Sequence, residues 1–176
     1  DELLLLGMPY DTLQTVIGIG RDIPCSLSEY GVKYRVYDLD FVNPNLSAIK
    51  SALRPETKMV SIQRSRGYSS RMSLSVAKIA ALIDAVKSVR PDIIVFVDNC
   101  YGELVETKEP GDIGADIVVG SLMKNLGGGI APTGGYVAGK KDLVYEVAQR
   151  LTAPGIGKDL GANFNLNNAF FKGVFM

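Results

Sequence analysis

The stretch SLSVAKIAALIDAVKSVRPDIIVFVD, residues 73–98, decides the fold class of this chain. Its first part repeats apolar residues at the spacing of a helix with one buried face, which predicts a helix over Ser73–Val89. Pro91 ends that helix, and the unbroken apolar run Ile93–Val97 predicts a strand buried on both faces. A helix that leads into a fully buried strand is typical of a parallel sheet with crossover helices.

The same alternation of strands and helices extends over the first hundred residues. The predicted strands there, besides the one just described, are Leu3–Leu6, Lys33–Asp38 and Met59–Ile62. The predicted helices are Thr12–Ile17, with Asp11 as its N-cap, and Leu46–Leu53, with Pro44 and Asn45 at its start. We therefore expect one α/β domain built on a mostly parallel sheet.

Beyond Asp98 the pattern changes from crossovers to a hairpin. The apolar runs Ile117–Val119 and Tyr136–Ala138 are joined by the glycine-rich turn Gly127–Gly135. This arrangement predicts one antiparallel strand added to the sheet, followed by a helix over Asp142–Leu151.

Composition excludes several classes of function. The 176 residues include 19 basic and 19 acidic side chains, so charge offers no case for binding nucleic acid or an anionic membrane. Histidine is absent, which excludes Ser-His-Asp and Cys-His catalysis within this chain and disfavours a transition-metal site. Two cysteines do not make a disulfide framework, and no apolar run reaches the ~20 residues of a membrane span. We expect a cytoplasmic protein.

An acid and an amine follow two consecutive buried strands. Asp98 directly follows the run Ile93–Val97. Gly120 follows the second run, Ile117–Val119, and Lys124 comes four residues after Gly120. The carboxyl ends of parallel strands are where an open α/β sheet binds ligands. Such a pair suits pyridoxal phosphate, since the amine can form a Schiff base and the acid can keep the pyridine nitrogen protonated. The alternatives are a strand-end aspartate that caps a turn and a solvated lysine.

Other side chains near these strand ends extend the candidate site. We expect partial burial to lower the pKa of Lys124. Ser121 could donate to a phosphate, or it could stabilise its own turn. The cluster Arg64, Arg66 and Arg71 is large enough for one carboxylate or phosphate, although a surface loop with ion pairs explains it equally well.

With these residues in place, the chain resembles a fold-type I pyridoxal phosphate enzyme of the cysteine and methionine metabolism group. Within that group it is most similar to the aluminium-resistance, or methionine gamma-lyase-like, proteins. The segments that carry the resemblance are GMPYDTL (7–13), QRSRGYSSR (63–71), VDNCYGELVE (97–106), EPGDIGADIVVGSLMKNLGGGIAPTGGYVAG (109–139) and RLTAPGIG (150–157). They span nearly the whole chain in the order of the family.

The resemblance implies a role for each candidate. Lys124 matches the Schiff-base lysine, Asp98 the partner of the pyridine nitrogen, and Ser121 a serine that contacts the phosphate. Tyr10 falls where the lyases carry a tyrosine that stacks on the ring and assists proton transfer, although a plain loop aromatic is its alternative. This chain departs from the lyases at Met123, where a second hydroxyl is common.

A second departure lies in the loop 63–67, QRSRG, where the lyases place an asparagine near the ring oxygen. We take Arg66 as the candidate replacement. The resemblance also implies that the phosphate loop precedes Asp1 and that a small C-terminal domain follows Met176, so the chain is expected to be the central part of the large domain.

The activity implied is carbon–sulfur lysis of a small sulfur-containing amino acid, of the cystathionine beta-lyase or methionine gamma-lyase type. An aminotransferase, or a pyridoxal phosphate-binding stress (aluminium) tolerance protein without turnover, remains an alternative. The resemblance further implies a homodimer or homotetramer. A nucleotide-binding domain is disfavoured, because no G-x-G-x-x-G follows the first strand.

Overall fold

The computed structural model describes residues 1–161 and 164–176, and strands and helices alternate along its first hundred residues. The strands are β1 (Glu2–Leu6), β2 (Lys33–Tyr37), β3 (Thr57–Gln63), β4 (Ile94–Asp98), β5 (Ile117–Ser121) and β6 (Gly135–Gly139). The α-helices are α1 (Asp11–Ile17), α2 (Leu46–Ala52), α3 (Val76–Lys87), α4 (Lys141–Leu151) and α5 (Asn167–Val174). Short 3-10 helices cover Pro110–Ile113, Asn125–Gly127 and Gly157–Asp159.

Within the described residues, the six strands form one sheet in the order β2-β1-β3-β4-β5-β6. Strands β1 to β5 run parallel, and β6 pairs antiparallel with β5 so that Ser121 lies opposite Gly135. The predicted class, a mostly parallel sheet with crossover helices and one antiparallel strand, is confirmed.

The first strand shows why the apolar runs are unbroken. Leu4 and Leu6 belong to the larger core, which includes residues of α2 and α3, whereas Leu3 and Leu5 pack with Ile17 of α1 on the other face. Successive residues of a strand point to opposite faces, so a strand covered on both sides needs an apolar residue at every position. Each such leucine contributes roughly 2 kcal/mol of burial free energy.

The structure corrects two predicted helix starts. Helix α3 begins at Val76 and not at Ser73, because the Ser75 hydroxyl accepts from the amide of Lys78 (3.3 Å) and caps the first turn. Asp11 is not the N-cap of α1, since Tyr10 occupies that position and Asp11 lies in the first turn. In the first turn, the negative charge of its carboxylate still interacts favourably with the positive end of the helix dipole.

The C-terminal helix α5 has no counterpart among the predicted elements. It lies against the 3-10 turn that follows Lys124, where a Cβ on Gly173 would meet the main chain of Gly127. A Cβ on Gly128 would in turn meet the carbonyl of Gly173, so glycine at 128 and 173 allows the two backbones to approach closely. Helix α5 therefore supports the loop that carries the lysine.

Candidate active site

The strand order places a crevice at one edge of the sheet. After β1 the chain moves outward to β2 and then returns to β3 on the other side of β1. The loops that leave β1 and β3 therefore diverge, and a ligand crevice forms outside the carboxyl ends of the strands at such a reversal.

A cavity of about 530 Å³ lies at this edge. Its lining residues are Tyr10, Ser65, Arg66, Gly67, Tyr68, Ser73, Asp98, Cys100, Tyr101, Met123 and Lys124. They come from the segments that follow β1, β3, β4 and β5. Four of the five predicted site residues, Tyr10, Arg66, Asp98 and Lys124, meet in this one cavity, whose volume suits a small cofactor.

Asp98 is the last residue of β4, with Gln63 and Val119 as its neighbours in the sheet register. It is only 8% exposed, and its Oδ1 atom accepts from the amide of Cys100 (3.0 Å). The carboxylate therefore faces the cavity from a rigid strand end. A buried charge in this position needs partners.

Lys124 lies three residues beyond β5, directly before the turn Asn125–Gly127. Its Nζ atom lies 4.5 Å from the centre of the Tyr101 ring, and Cys100 lines the same cavity. Burial lowers the pKa of Lys124, but Cys100, Tyr101 and Asp98 outweigh it and raise the pKa above its ordinary value. The expectation of a lowered lysine pKa was therefore wrong in direction, because burial was weighed without the neighbouring groups.

Tyr10 is held by a side chain of β3. Its amide donates to Oε1 of Gln63 (2.9 Å), and the Gln63 Nε2 atom donates to the carbonyl of Ser65 (2.9 Å). Burial, with the charge of Asp98, raises the pKa of the Tyr10 phenol. The phenol therefore keeps its proton at neutral pH and is a potential donor.

Gly67 sets the space in front of Tyr10. Its φ is +57°, a conformation that favours glycine, and a Cβ added there would lie 3.2 Å from the Cβ of Tyr10. Any larger residue at this position would both strain the backbone and press on the tyrosine.

Ser121 is the predicted site residue that does not line the cavity. It ends β5, and its hydroxyl accepts from the amide of Met123 (3.3 Å), as in the turn-stabilising alternative. Met123 lines the cavity in its place. Contact of Ser121 with a phosphate remains a prediction.

The three clustered arginines have different surroundings. Arg64 is 4% exposed and pairs with Glu106 (2.7 Å), while Arg71 donates to main-chain carbonyls and stacks on Phe41 at 3.8 Å. Burial lowers the pKa of Arg71 to about 10. Both therefore act within the protein fold, and of the three only Arg66 lines the cavity among the described residues.

Arg64 also supports the loop that follows Asp98. Its Nη1 atom donates to Oδ1 of Asn99 and to the carbonyl of Gly102, both at 2.8 Å. Asn99 in turn donates to Glu109 (2.8 Å), and the Tyr136 hydroxyl donates to Glu103 (3.1 Å) behind the same loop. A buried polar network thus fixes the segment between β4 and β5.

Sequence reasoning missed Cys100 and Tyr101, which line the cavity beside Lys124. Their position directly after Asp98, at the end of a buried strand, is the signal that could have found them. The sequence alone does not say which way the loop turns.

Among the residues that the structure describes, neither a metal site nor a membrane-spanning helix is found. Across residues 1–161 and 164–176, no cluster of His, Cys, Asp or Glu could hold a metal ion. In the same ranges, no helix combines the length and apolar character needed to cross a membrane.

A sequence model of the methionine gamma-lyase family matches residues 1–176, the whole chain. The chain belongs to the methionine gamma-lyase family. It is 42% identical to the uncharacterised protein YnbB of Bacillus subtilis (strain 168) over 179 residues, which cover all of this chain and 42% of YnbB. It is also 32% identical to the L-methionine gamma-lyase of Treponema denticola, over 69% of this chain and 28% of that enzyme.

Solved structures of similar proteins show the same fold. The crystal structure of a carbon–sulfur lyase involved in aluminium resistance from Clostridium novyi NT superposes with a TM-score of 0.93. That protein is 47% identical, with 99% of this chain and 42% of the other covered. The chain thus spans about half or less of the length of these relatives, and its fold matches a part of the large domain of such enzymes.

Proposed function

We propose that the protein is a pyridoxal phosphate-dependent carbon–sulfur lyase that acts on a small sulfur-containing amino acid, as part of a homo-oligomer. One observation carries the proposal: a member of the methionine gamma-lyase family brings Lys124, Asp98 and Tyr10 to one cavity at the reversal of strand order.

The lining of the cavity fits pyridoxal phosphate in its chemistry. Lys124 would bind the aldehyde carbon through its amine, and Asp98 would pair with the pyridine nitrogen. Tyr10 would cover the ring, and Arg66 would face an anionic oxygen of the cofactor or substrate. When bound, the cofactor supplies an electron-accepting ring that stabilises negative charge at the substrate Cα atom.

The residues of the chain would then move two protons. The amine of Lys124, once free, takes the proton from the substrate Cα atom, and the electron pair of the carbon–sulfur bond leaves with the sulfur. Tyr10 supplies a proton to that sulfur, because its raised pKa keeps the phenol protonated at neutral pH. Asp98 would hold the ring nitrogen in position, since it is the last residue of a rigid strand.

The experiment is borohydride reduction of the full-length protein loaded with pyridoxal phosphate, followed by peptide mapping. We expect the label on Lys124 and its loss in Lys124→Ala, whereas Lys141→Ala, an exposed lysine on α4, keeps it. A label on another lysine would refute the proposed site.

Product analysis tests the reaction itself. Incubation with L-methionine or cystathionine is expected to release ammonia, a thiol and a 2-oxo acid without an added amino acceptor. Turnover that requires a 2-oxo acid acceptor would instead identify an aminotransferase. A labelled protein without any turnover would support a binding role.

A further inference from the structure

The residues after Asp98 turn back onto Lys124. Cys100 and Tyr101 both line the cavity, and the ring of Tyr101 has its centre 4.5 Å from the lysine Nζ atom. The thiol of Cys100 is half-buried and lines the cavity beside the same amine, whose pKa it raises. A sulfur atom and an aromatic face therefore lie beside one amine from consecutive positions in the loop.

The backbone of Tyr101 is held in an uncommon conformation. Its φ is +67°, in the left-handed region that a bulky residue rarely adopts. The turn that imposes it is closed by the amide of Gly102, which donates to the carbonyl of Asn99 (2.8 Å). Hydrophobic burial does not account for this placement, because Tyr101 remains 60% exposed.

We propose that Cys100 and Tyr101 form a holding site for the amine of Lys124 whenever that amine is not bonded to the cofactor. The proposal rests on the proposed function, in which the amine is alternately bonded and free. The two residues act on Lys124 and not on the substrate, so they are positioning residues.

The holding site gives the freed lysine a defined place. A lysine side chain has four rotatable bonds. Without a contact that fixes it, the amine would spend much of its time in conformations that do not reach the substrate. The face of an aromatic ring attracts an ammonium group and not a neutral amine. The holding site therefore favours the amine after it has accepted a proton.

Other charged and titratable groups face the same amine. Asp98 lies at the end of β4, Tyr10 follows β1, and Arg66 lines the same cavity. Asp98 also stabilises the ammonium form of Lys124. Variants of the holding site leave these three groups in place, which separates its effect from theirs.

The test follows the free amine without cofactor. The full-length protein is stripped of cofactor and methylated with formaldehyde and cyanoborohydride at a series of pH values, and modification of Lys124 is measured by peptide mass spectrometry. The exposed Lys50 serves as the internal reference. In Tyr101→Leu we expect the apparent pKa of Lys124 to fall by about half a pH unit, which means about threefold faster modification at a fixed pH below it.

Matched variants make the result specific. Tyr101→Phe keeps the aromatic face and is expected to keep the profile of the unmodified protein, as is Tyr145→Leu, an exposed tyrosine on α4. Cys100→Ala is expected to lower the apparent pKa, and Cys100→Ser to restore it. Circular dichroism confirms that each variant is folded.

Profiles of Tyr101→Leu and Cys100→Ala that superpose on that of the unmodified protein would overturn the holding site. A shift in Tyr101→Leu alone would overturn the part assigned to the thiol. Failure of the proposed function is a separate result, since it would show as borohydride label absent from Lys124 in the loaded protein.

Discussion

Replacing Arg64 by methionine removes the guanidinium group that ties the loop after Asp98 to the rest of the domain. That group donates to Asn99, to the carbonyl of Gly102 and to the carboxylate of Glu106, at 2.7–2.8 Å in each case. Methionine has a similar apolar stem and leaves these three acceptors without their donor. The loop carries Cys100 and Tyr101, so the effect reaches the cavity.

The magnitude follows from burial. Removing one partner of a buried ion pair costs about 3–5 kcal/mol, and Glu106 is 37% exposed on its side chain, so we take the lower end. A loss of about 3 kcal/mol lowers the Tm of a domain of 150–250 residues by about 6–12 °C. The Tm of Arg64→Lys is expected to lie between those of Arg64→Met and the unmodified protein, because lysine keeps the charge but not the forked geometry.

The assay is thermal unfolding of the full-length protein, followed by circular dichroism, with Arg150→Met as the matched control on the exposed surface of α4. The free energy of unfolding of the control is expected to stay within about 0.5 kcal/mol of that of the unmodified protein. If Arg64→Met melted at the same temperature as the control, the buried network would not support the loop, and the reasoning would be refuted.

Three further perturbations test other parts of the site and fold. Asp98→Ala is expected to lower turnover at least a hundredfold while some cofactor still binds, because the ring nitrogen loses its charged partner; kcat and the absorbance of bound cofactor measure the two effects. Gly67→Ala is expected to weaken cofactor binding in a fluorescence titration, because the new Cβ lies 3.2 Å from the Cβ of Tyr10. Asp116→Asn is expected to lower the free energy of unfolding in urea at pH 7, because the carboxylate pairs with the ammonium groups of Lys87 (2.6 Å) and Lys140 (2.7 Å). Burial raises the pKa of Asp116, but the two lysines outweigh it and lower the pKa overall, so its contribution is complete above the unfolded pKa of about 4 and is lost as the pH falls through the folded value.

Each of these variants has a control in the chain. Gly20 has a φ of +73° and nothing within 4 Å of a built Cβ, so Gly20→Ala carries the backbone strain of Gly67→Ala without its contact. Equal cofactor affinity in the two variants would contradict the role of Gly67. Asp142 is exposed on α4. Asp142→Ala is therefore the control for Asp98→Ala, and Asp142→Asn is the control for Asp116→Asn. Normal turnover of Asp98→Ala would count against the role of Asp98. A stability difference of Asp116→Asn that does not shrink as the pH is lowered from 7 through the acid range below 4 would count against the role of Asp116.

Local patterns were sufficient for the strands and for the first four α-helices of the fold. The helix α3 and the strand β4 follow from apolar spacing and from Pro91, because both signals act over a few residues along the chain. Even so, the start of α3 was misplaced, since the amide of Leu74 donates to the carbonyl of Arg64, which holds the intervening residues out of the helix. Helix α5 escaped prediction, because a glycine contact with a distant turn stabilises it.

The sequence by itself determined the fold class, and it placed Asp98 and Lys124 at strand ends of the same sheet edge. The family resemblance added Tyr10, and the cavity brings all three together. These assignments succeed because buried parallel strands deliver their carboxyl ends to one edge, whatever the loops do.

Only the tertiary structure decided how the neighbouring groups divide their roles. Arg64 and Arg66 are two residues apart, but one is buried by partners 35 to 42 residues further along the chain and the other lines the cavity. The raised pKa of Lys124 likewise depends on Cys100 and Tyr101, which reach it through a left-handed turn in the loop. Burial and charge depend on contacts between distant segments, and these contacts exist only once the chain has folded.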